Sequence, residues 1–202
     1  MRRTTLLILV LLIPPAAAGA LSEYLRQQQF PRRFAEVEPG QLYRGGRPTA
    51  EDIRRLHRDK KLRTVLSLTG ETRRGAEDDM VDVTRQLGIR HVRIPMPGNG
   101  VADSYEPLDQ AVDILSAAEN RPVFFHCAAG KQRTSAVLGA YRLKHDGRPL
   151  PIVLAELQRE YGLDTRDERE LVDYLRGYDR YLQSRETAHR QRSMTDGVPE
   201  PE

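Results

Sequence analysis

Extended runs and helix-period segments follow one another along this chain. An extended piece at residues 41–44 leads to Thr49, which opens a helix with Glu51 and Asp52 in its first turn, and a β-branched run follows at 64–68. A polar helix is expected over 76–87, stopped by Gly88, and an extended segment at 91–94 ends where Pro95, Pro97, Gly98 and Gly100 force a loop. Another helix is expected over 105–119. The segment Arg121-Pro122-Val123-Phe124-Phe125-His126 is apolar at consecutive positions, so its strand should be covered on both faces, as the centre of a helix-flanked sheet is. Three helices complete the pattern, over 133–145, 151–161 and 167–182. The first has Val137, Leu138, Ala140, Tyr141 and Lys144 at helical spacing. The second has Pro151 in its first turn and Gly162 after its last, and the third carries one stripe of Leu171, Tyr174, Leu175, Tyr178 and Leu182. The rhythm predicts one α/β domain over 41–183, with a central, mainly parallel sheet flanked by helices.

The ends read differently. Met1-Arg2-Arg3, an apolar run from Leu6 to Ile13, Pro14-Pro15 and small residues ending Ala18-Gly19-Ala20 have the layout of a secretory signal peptide. Cleavage is expected near Ala20, giving a periplasmic or secreted protein. Residues 5–13 are too few to cross about 30 Å of hydrocarbon, and no stable membrane anchor is expected of them. Residues 21–40 are expected to be a mobile polar extension, and 184–202 a mobile charged tail.

Composition narrows the classes. With 202 residues, 39% hydrophobic, 30% charged, 15 Gly and 13 Pro, the chain is neither collagen-like nor wholly disordered. Arg2 and Arg3 account for two of its 32 basic side chains against 29 acidic ones, so without the leader the formal charge falls from +3 to +1. Nucleic-acid binding thereby loses its compositional support. A single Cys excludes an internal disulfide, and in an oxidising compartment a lone thiol is either buried and inert or reactive for a purpose.

That thiol opens the most informative segment, His126-Cys127-Ala128-Ala129-Gly130-Lys131-Gln132-Arg133-Thr134, between the apolar strand and a helix. Backbone N–H groups of such a turn, with the unsatisfied donors and positive dipole end of the following helix, form a concavity for a tetrahedral oxyanion. Residues Ala128, Ala129, Gly130, Lys131, Gln132 and Arg133 are therefore candidate phosphate-binding positions. Gly130 permits positive φ, and the planar fork of Arg133 can make two charge-assisted bonds to a phosphate. The same surroundings favour the thiolate of Cys127, a nucleophile aimed at phosphorus.

His-Cys, five residues, then Arg-Thr resembles the active-site motif of the cysteine-dependent protein tyrosine phosphatase superfamily, on its dual-specificity side. Leu42-Tyr43-Arg44-Gly45-Gly46-Arg47-Pro48-Thr49 is similar to compact atypical members of bacteria, fungi and plants. The resemblance implies Cys127 as nucleophile, Arg133 as phosphate clamp, Thr134 as a hydroxyl donor to the sulfur leaving group and His126 as organiser of the loop. Neither metal nor organic cofactor is implied. The expected partner is a phosphorylated protein, with phosphotyrosine first and phosphoserine or phosphothreonine as further candidates. Inositol phosphates and phosphoinositides are the alternative, disfavoured because Ala128 stands where phosphoinositide phosphatases often place a Lys.

Such chemistry also needs a general acid, and Asp103, in the flexible link between an extended segment and a helix, is the candidate. Asp103 could instead cap the helix with Glu106 as its capping-box partner, and Asp109 is the fallback acid. Lys131 is read equally as a solvated cation or as a contact to a second acidic group on the substrate, and Arg44 and Arg47 as surface residues first, with contact to an anionic substrate as the alternative. Two other classes remain, a rhodanese-like sulfurtransferase and a silent phospho-binding module.

Overall fold

Val65 and Phe124 sit side by side on one face of the sheet, and Leu66 and Phe125 on the other, because side chains alternate along a strand and these strands are in parallel register. A sheet apolar on both faces must be covered on both, and six helices do so among the described residues, 30–70 and 76–195 of this computed structural model. The strands are β1 (Ala35–Glu38), β2 (Leu42–Gly45), β3 (Thr64–Ser67), β4 (Arg90–Arg93) and β5 (Val123–His126). Their spatial order is β1-β2-β5-β3-β4, with β1 antiparallel to β2 and the other pairs parallel.

Helices α1 (Ala50–Lys60) and α2 (Ala76–Gln86) cover one face, where Ile53, Leu56, Met80 and Val83 pack with Tyr43, Val65 and Phe124. Thr49 caps α1 in a full capping box with Asp52. The other face carries α3 (Glu106–Ser116), α4 (Gln132–Lys144), α5 (Leu150–Tyr161) and α6 (Arg169–Thr195). Residues Thr134 to Leu143 of α4 are all buried, so this helix is enclosed on every side rather than along one stripe.

Two boundaries differ from the sequence reading. Strand β1 lies inside the segment expected to be a mobile extension. Val37 is its single buried hydrophobic residue, and pairing with β2, not its own pattern, makes it a strand. Helix α6 continues to Thr195, so much of the expected mobile tail is helical, although residues 184–188, 190 and 191 are exposed. The proposed signal peptide, residues 1–20, and residues 196–202 lie outside the described residues. Among the described residues, no helix is long and apolar enough to cross a membrane.

Candidate active site

Strand β5 is the middle strand of the sheet, and the loop from Cys127 to Lys131 leaves its carboxyl end to enter α4. This is where ligands bind in open parallel sheets. Six consecutive carbonyls, from the last residue of β5 through the loop, turn away from its hollow. His126 O accepts from Leu68 N at 2.9 Å, Ala128 O from Arg47 N at 3.2 Å and Lys131 O from Ser135 N at 2.8 Å. Ala129 O accepts from Arg33 at 2.9 Å and Gly130 O from Arg44 at 3.1 Å, while the His126 ring lies 3.4 Å from Cys127 O. With the carbonyls held outward, the N–H groups point in. Gly130 N donates to Cys127 Sγ at 3.1 Å.

Gly130 is required twice over. Its φ is +69°, and a Cβ there would stand 2.5 Å from Gly46 N. The loop thus lies directly on the end of β2. Gly100, at φ +81°, brings the expected acid loop close to α4, though less tightly: a Cβ there would meet Gln132 O at 3.0 Å.

Cys127 is 2% exposed. Burial pushes its thiol up, but the N–H groups of Lys131, Gly130 and Ala129 and the charge of Arg133 outweigh that and hold it below the ordinary value. Arg133 Nε is buried with no partner, and one terminal nitrogen reaches Leu68 O only at 3.5 Å. Among the described residues its fork is therefore uncommitted and open to an anion in the hollow.

Arg44 is not at the surface. It is 1% exposed, stacks at 4.5 Å over the Tyr161 ring, and donates to Gly130 O, Thr134 Oγ1 (2.7 Å) and Ser135 Oγ (3.3 Å). Burial lowers its pKa to about 10, still cationic at neutral pH. A guanidinium beneath the cup thus ties the loop to the first turn of α4. The one available signal was its alternation with Leu42, which puts Arg44 on a buried strand face.

The other expected residues fall as follows. His126 is fully buried and bonds Ser67 Oγ at 2.8 Å, which bonds His91 at 2.9 Å, so it anchors the loop to two neighbouring strands. Thr134 departs from its expected role: its hydroxyl donates to Lys131 O at 3.0 Å and accepts from Arg44, so it braces the loop instead of addressing the sulfur. Lys131 pairs with Glu168 at 3.3 Å, a residue the sequence reading did not single out. Arg47 supports the loop through its backbone N–H to Ala128 O.

Asp103 is exposed and makes no hydrogen bond or ion pair within the described residues, and it does not cap α3. The cap is Tyr105, without a side-chain bond. Asp109 is unsuited to proton donation: partial burial raises its pKa, but bonds from Lys144 (2.9 Å), Tyr178 (2.8 Å) and Tyr181 (3.1 Å) bring it below the ordinary value.

A family model described as "DSP-PTPase phosphatase fused to NAD+ Kinase" matches residues 26–168, well over half of the chain. The chain belongs to the cysteine-dependent dual-specificity phosphatases. That membership sets aside the sulfurtransferase reading. The inositol diphosphatase SIW14 of Saccharomyces cerevisiae is 30% identical over 132 residues, 64% of this chain and 45% of the yeast protein. The dual specificity protein phosphatase TpbA of Pseudomonas aeruginosa is 30% identical over 138 residues, 68% of this chain and 59% of TpbA. The chain thus spans about half the length of these relatives. Among solved structures of dual-specificity phosphatases, the SIW14 catalytic domain superposes with TM-score 0.60 at 26% identity, covering 72% of this chain and 86% of that one. TpbA superposes with TM-score 0.59 at 22% identity over 78% of this chain and 99% of that one, which shows the shared fold.

Proposed function

We propose that this protein hydrolyses phosphate monoesters, phosphotyrosine in particular, through a cysteinyl-phosphate intermediate. The supporting observation is the loop whose consecutive carbonyls are all drawn outward, leaving its N–H groups, a thiol with lowered pKa and an uncommitted guanidinium around one hollow. The Cys127 thiolate attacks phosphorus, the S–P bond forms and the ester O–P bond breaks, while the departing oxygen takes a proton from Asp103. Water then attacks phosphorus, gives its proton to the Asp103 carboxylate and expels the thiolate, releasing inorganic phosphate. Arg133 and the N–H groups hold the three equatorial oxygens throughout.

Kinship with TpbA supports a phosphoprotein substrate, and the small, uncharged Ala128 and Ala129 beside the nucleophile agree with a single phosphate in the cup. Kinship with inositol diphosphatases supports the second reading, a polyphosphorylated inositol. Turnover of phosphotyrosine, phosphoserine and phosphothreonine peptides and of inositol phosphates decides between them, with Cys127→Ser as blank. Phosphotyrosine peptides should be preferred; a panel hydrolysed only at inositol phosphates would overturn the proposal. Export is part of the same reading, on the strength of residues 1–20, and the mature N-terminus should fall near Leu21. A mature chain retaining Met1 in the cytoplasm would remove it.

A further inference from the structure

The turn between α5 and α6 touches both loops of the active site. Asp164 Oδ1 accepts from the N–H groups of Arg166 and Asp167, and Glu168 N donates back to Asp164 O at 2.8 Å. Glu168 Oε2 in turn accepts from Asp164 N at 2.9 Å, so the carboxylate is locked by its own turn rather than swinging in solvent. Its other oxygen, Oε1, is buried without a hydrogen bond of good geometry and lies 3.3 Å from Lys131 Nζ. The Glu168 side chain is 10% exposed against 32% for Lys131, so a fixed anion holds a more mobile cation. Two residues on, Glu170 accepts from Asn99 of the acid loop at 3.1 Å.

Lys131 and Arg133 are the two cationic side chains of the nucleophile loop. Arg133 is uncommitted and Lys131 is not. A substrate whose one anionic group sits in the cup needs only the N–H groups and Arg133. A substrate with a second phosphate beside the first would look to Lys131, and would have to displace a preorganised carboxylate and then lie against it. Like-charge juxtaposition of this kind excludes a partner more effectively than any contact selects one.

We infer that Glu168 is a specificity-determining residue of this site: it neutralises Lys131 and sets the cup against substrates carrying a second phosphate, in favour of singly phosphorylated ones. The inference rests on the proposed phosphatase reading for the meaning of the cup, but its test reads binding, not turnover. In the Cys127→Ser protein, dissociation constants for inorganic phosphate and for inositol hexakisphosphate, the multi-phosphate probe, are measured by calorimetry at fixed salt. Glu168→Gln, which keeps an oxygen for Asp164 N, should tighten the probe about five-fold relative to inorganic phosphate, the scale of one partly exposed ion pair. Adding Lys131→Ala should take that gain back, whereas Lys131→Ala with Glu168 intact should change the ratio by less than about two-fold.

A ratio unmoved by Glu168→Gln would overturn the inference. So would a Lys131→Ala loss of more than about two-fold with Glu168 intact, which also serves if the Gln variant fails to fold. Failure of the wild-type chain to hydrolyse phosphotyrosine would instead strike the proposed function and leave these ratios standing.

Discussion

Arg44 and Cys127 show how one position can decide a site from beneath. The three bonds of the Arg44 guanidinium hold Gly130 O outward, and an outward carbonyl is what leaves the adjoining N–H groups facing the sulfur. Arg44→Lys keeps the charge but not the guanidinium fork, whose one terminal nitrogen meets all three acceptors while its plane stacks on Tyr161, so Gly130 O loses its buried donor. We expect a loss of about 1–3 kcal/mol in urea unfolding, and a fall in kcat/KM on an aryl phosphate of at least about tenfold. Activity within about two-fold of wild type would show that the loop keeps its shape without the fork. Asp109 is the residue-scale counterpart in stability. Its folded pKa lies below the ordinary value of 3.8, so its contribution is present above that value and is lost as pH falls through the folded one. Asp109→Asn should cost about 1–3 kcal/mol at neutral pH, with the gap closing as pH drops below 3.8. A gap constant with pH would mean that packing, not charge, is lost. None of this was legible residue by residue. The sequence reading placed Arg44 at the surface and gave Asp109 a reserve role in proton transfer, because burial of a polar side chain depends on the elements laid over it.

At the scale of elements, α6 is the brace of the acid loop. The Tyr174 hydroxyl donates to Ser104 O at 2.6 Å, and the Tyr105 ring packs among Tyr174, Tyr178 and Tyr181 at centroid distances of 5.2–5.5 Å. The stripe on α6 was legible as a packing face, and its hydroxyls do more than pack: that of Tyr174 holds Ser104, next to Asp103, and that of Tyr178 holds Asp109. Tyr174→Phe keeps the ring and orphans one carbonyl. Amide exchange at residues 101–105 should then rise several-fold, with a stability cost of about 1 kcal/mol. If Asp103 is the acid, this variant should also lose more rate with poor leaving groups than with good ones, and an equal loss on both would place the acid elsewhere. The element pattern was read well where periodicity was strong, as in β5, α4 and α5. It failed at β1, whose strand character is imposed by the neighbouring edge of β2, and at the end of α6, where the chain stays helical without an apolar stripe.

For the whole molecule, the sheet order matters most. β5 sits between β2 and β3, so the nucleophile loop emerges among the ends of neighbouring strands, with Cys127 and Gly130 buried at its floor and Ala128 exposed at its rim. A thiol there, with a pKa held below the ordinary thiol value, stays ionised as pH falls through the range where a free thiol would protonate. The pH profile of Cys127 alkylation should therefore have its midpoint below that of a free thiol titrated alongside it, and a midpoint at or above that of the free thiol would contradict the electrostatics of the cup. The sequence by itself determined the alternation of strands and helices, the buried central strand, and a loop whose Cys, Gly and Arg spacing favours phosphoryl chemistry over the other readings. These are local: they depend on side-chain period, on the φ that glycine allows and on residues six positions apart. Tertiary structure decided the rest. Which arginine lies under the cup, which carboxylate holds Lys131 and which tyrosine pins the acid loop are pairings between segments 37 to 90 residues apart. No local period encodes such pairings, because each exists only once the sheet order has brought its two segments together.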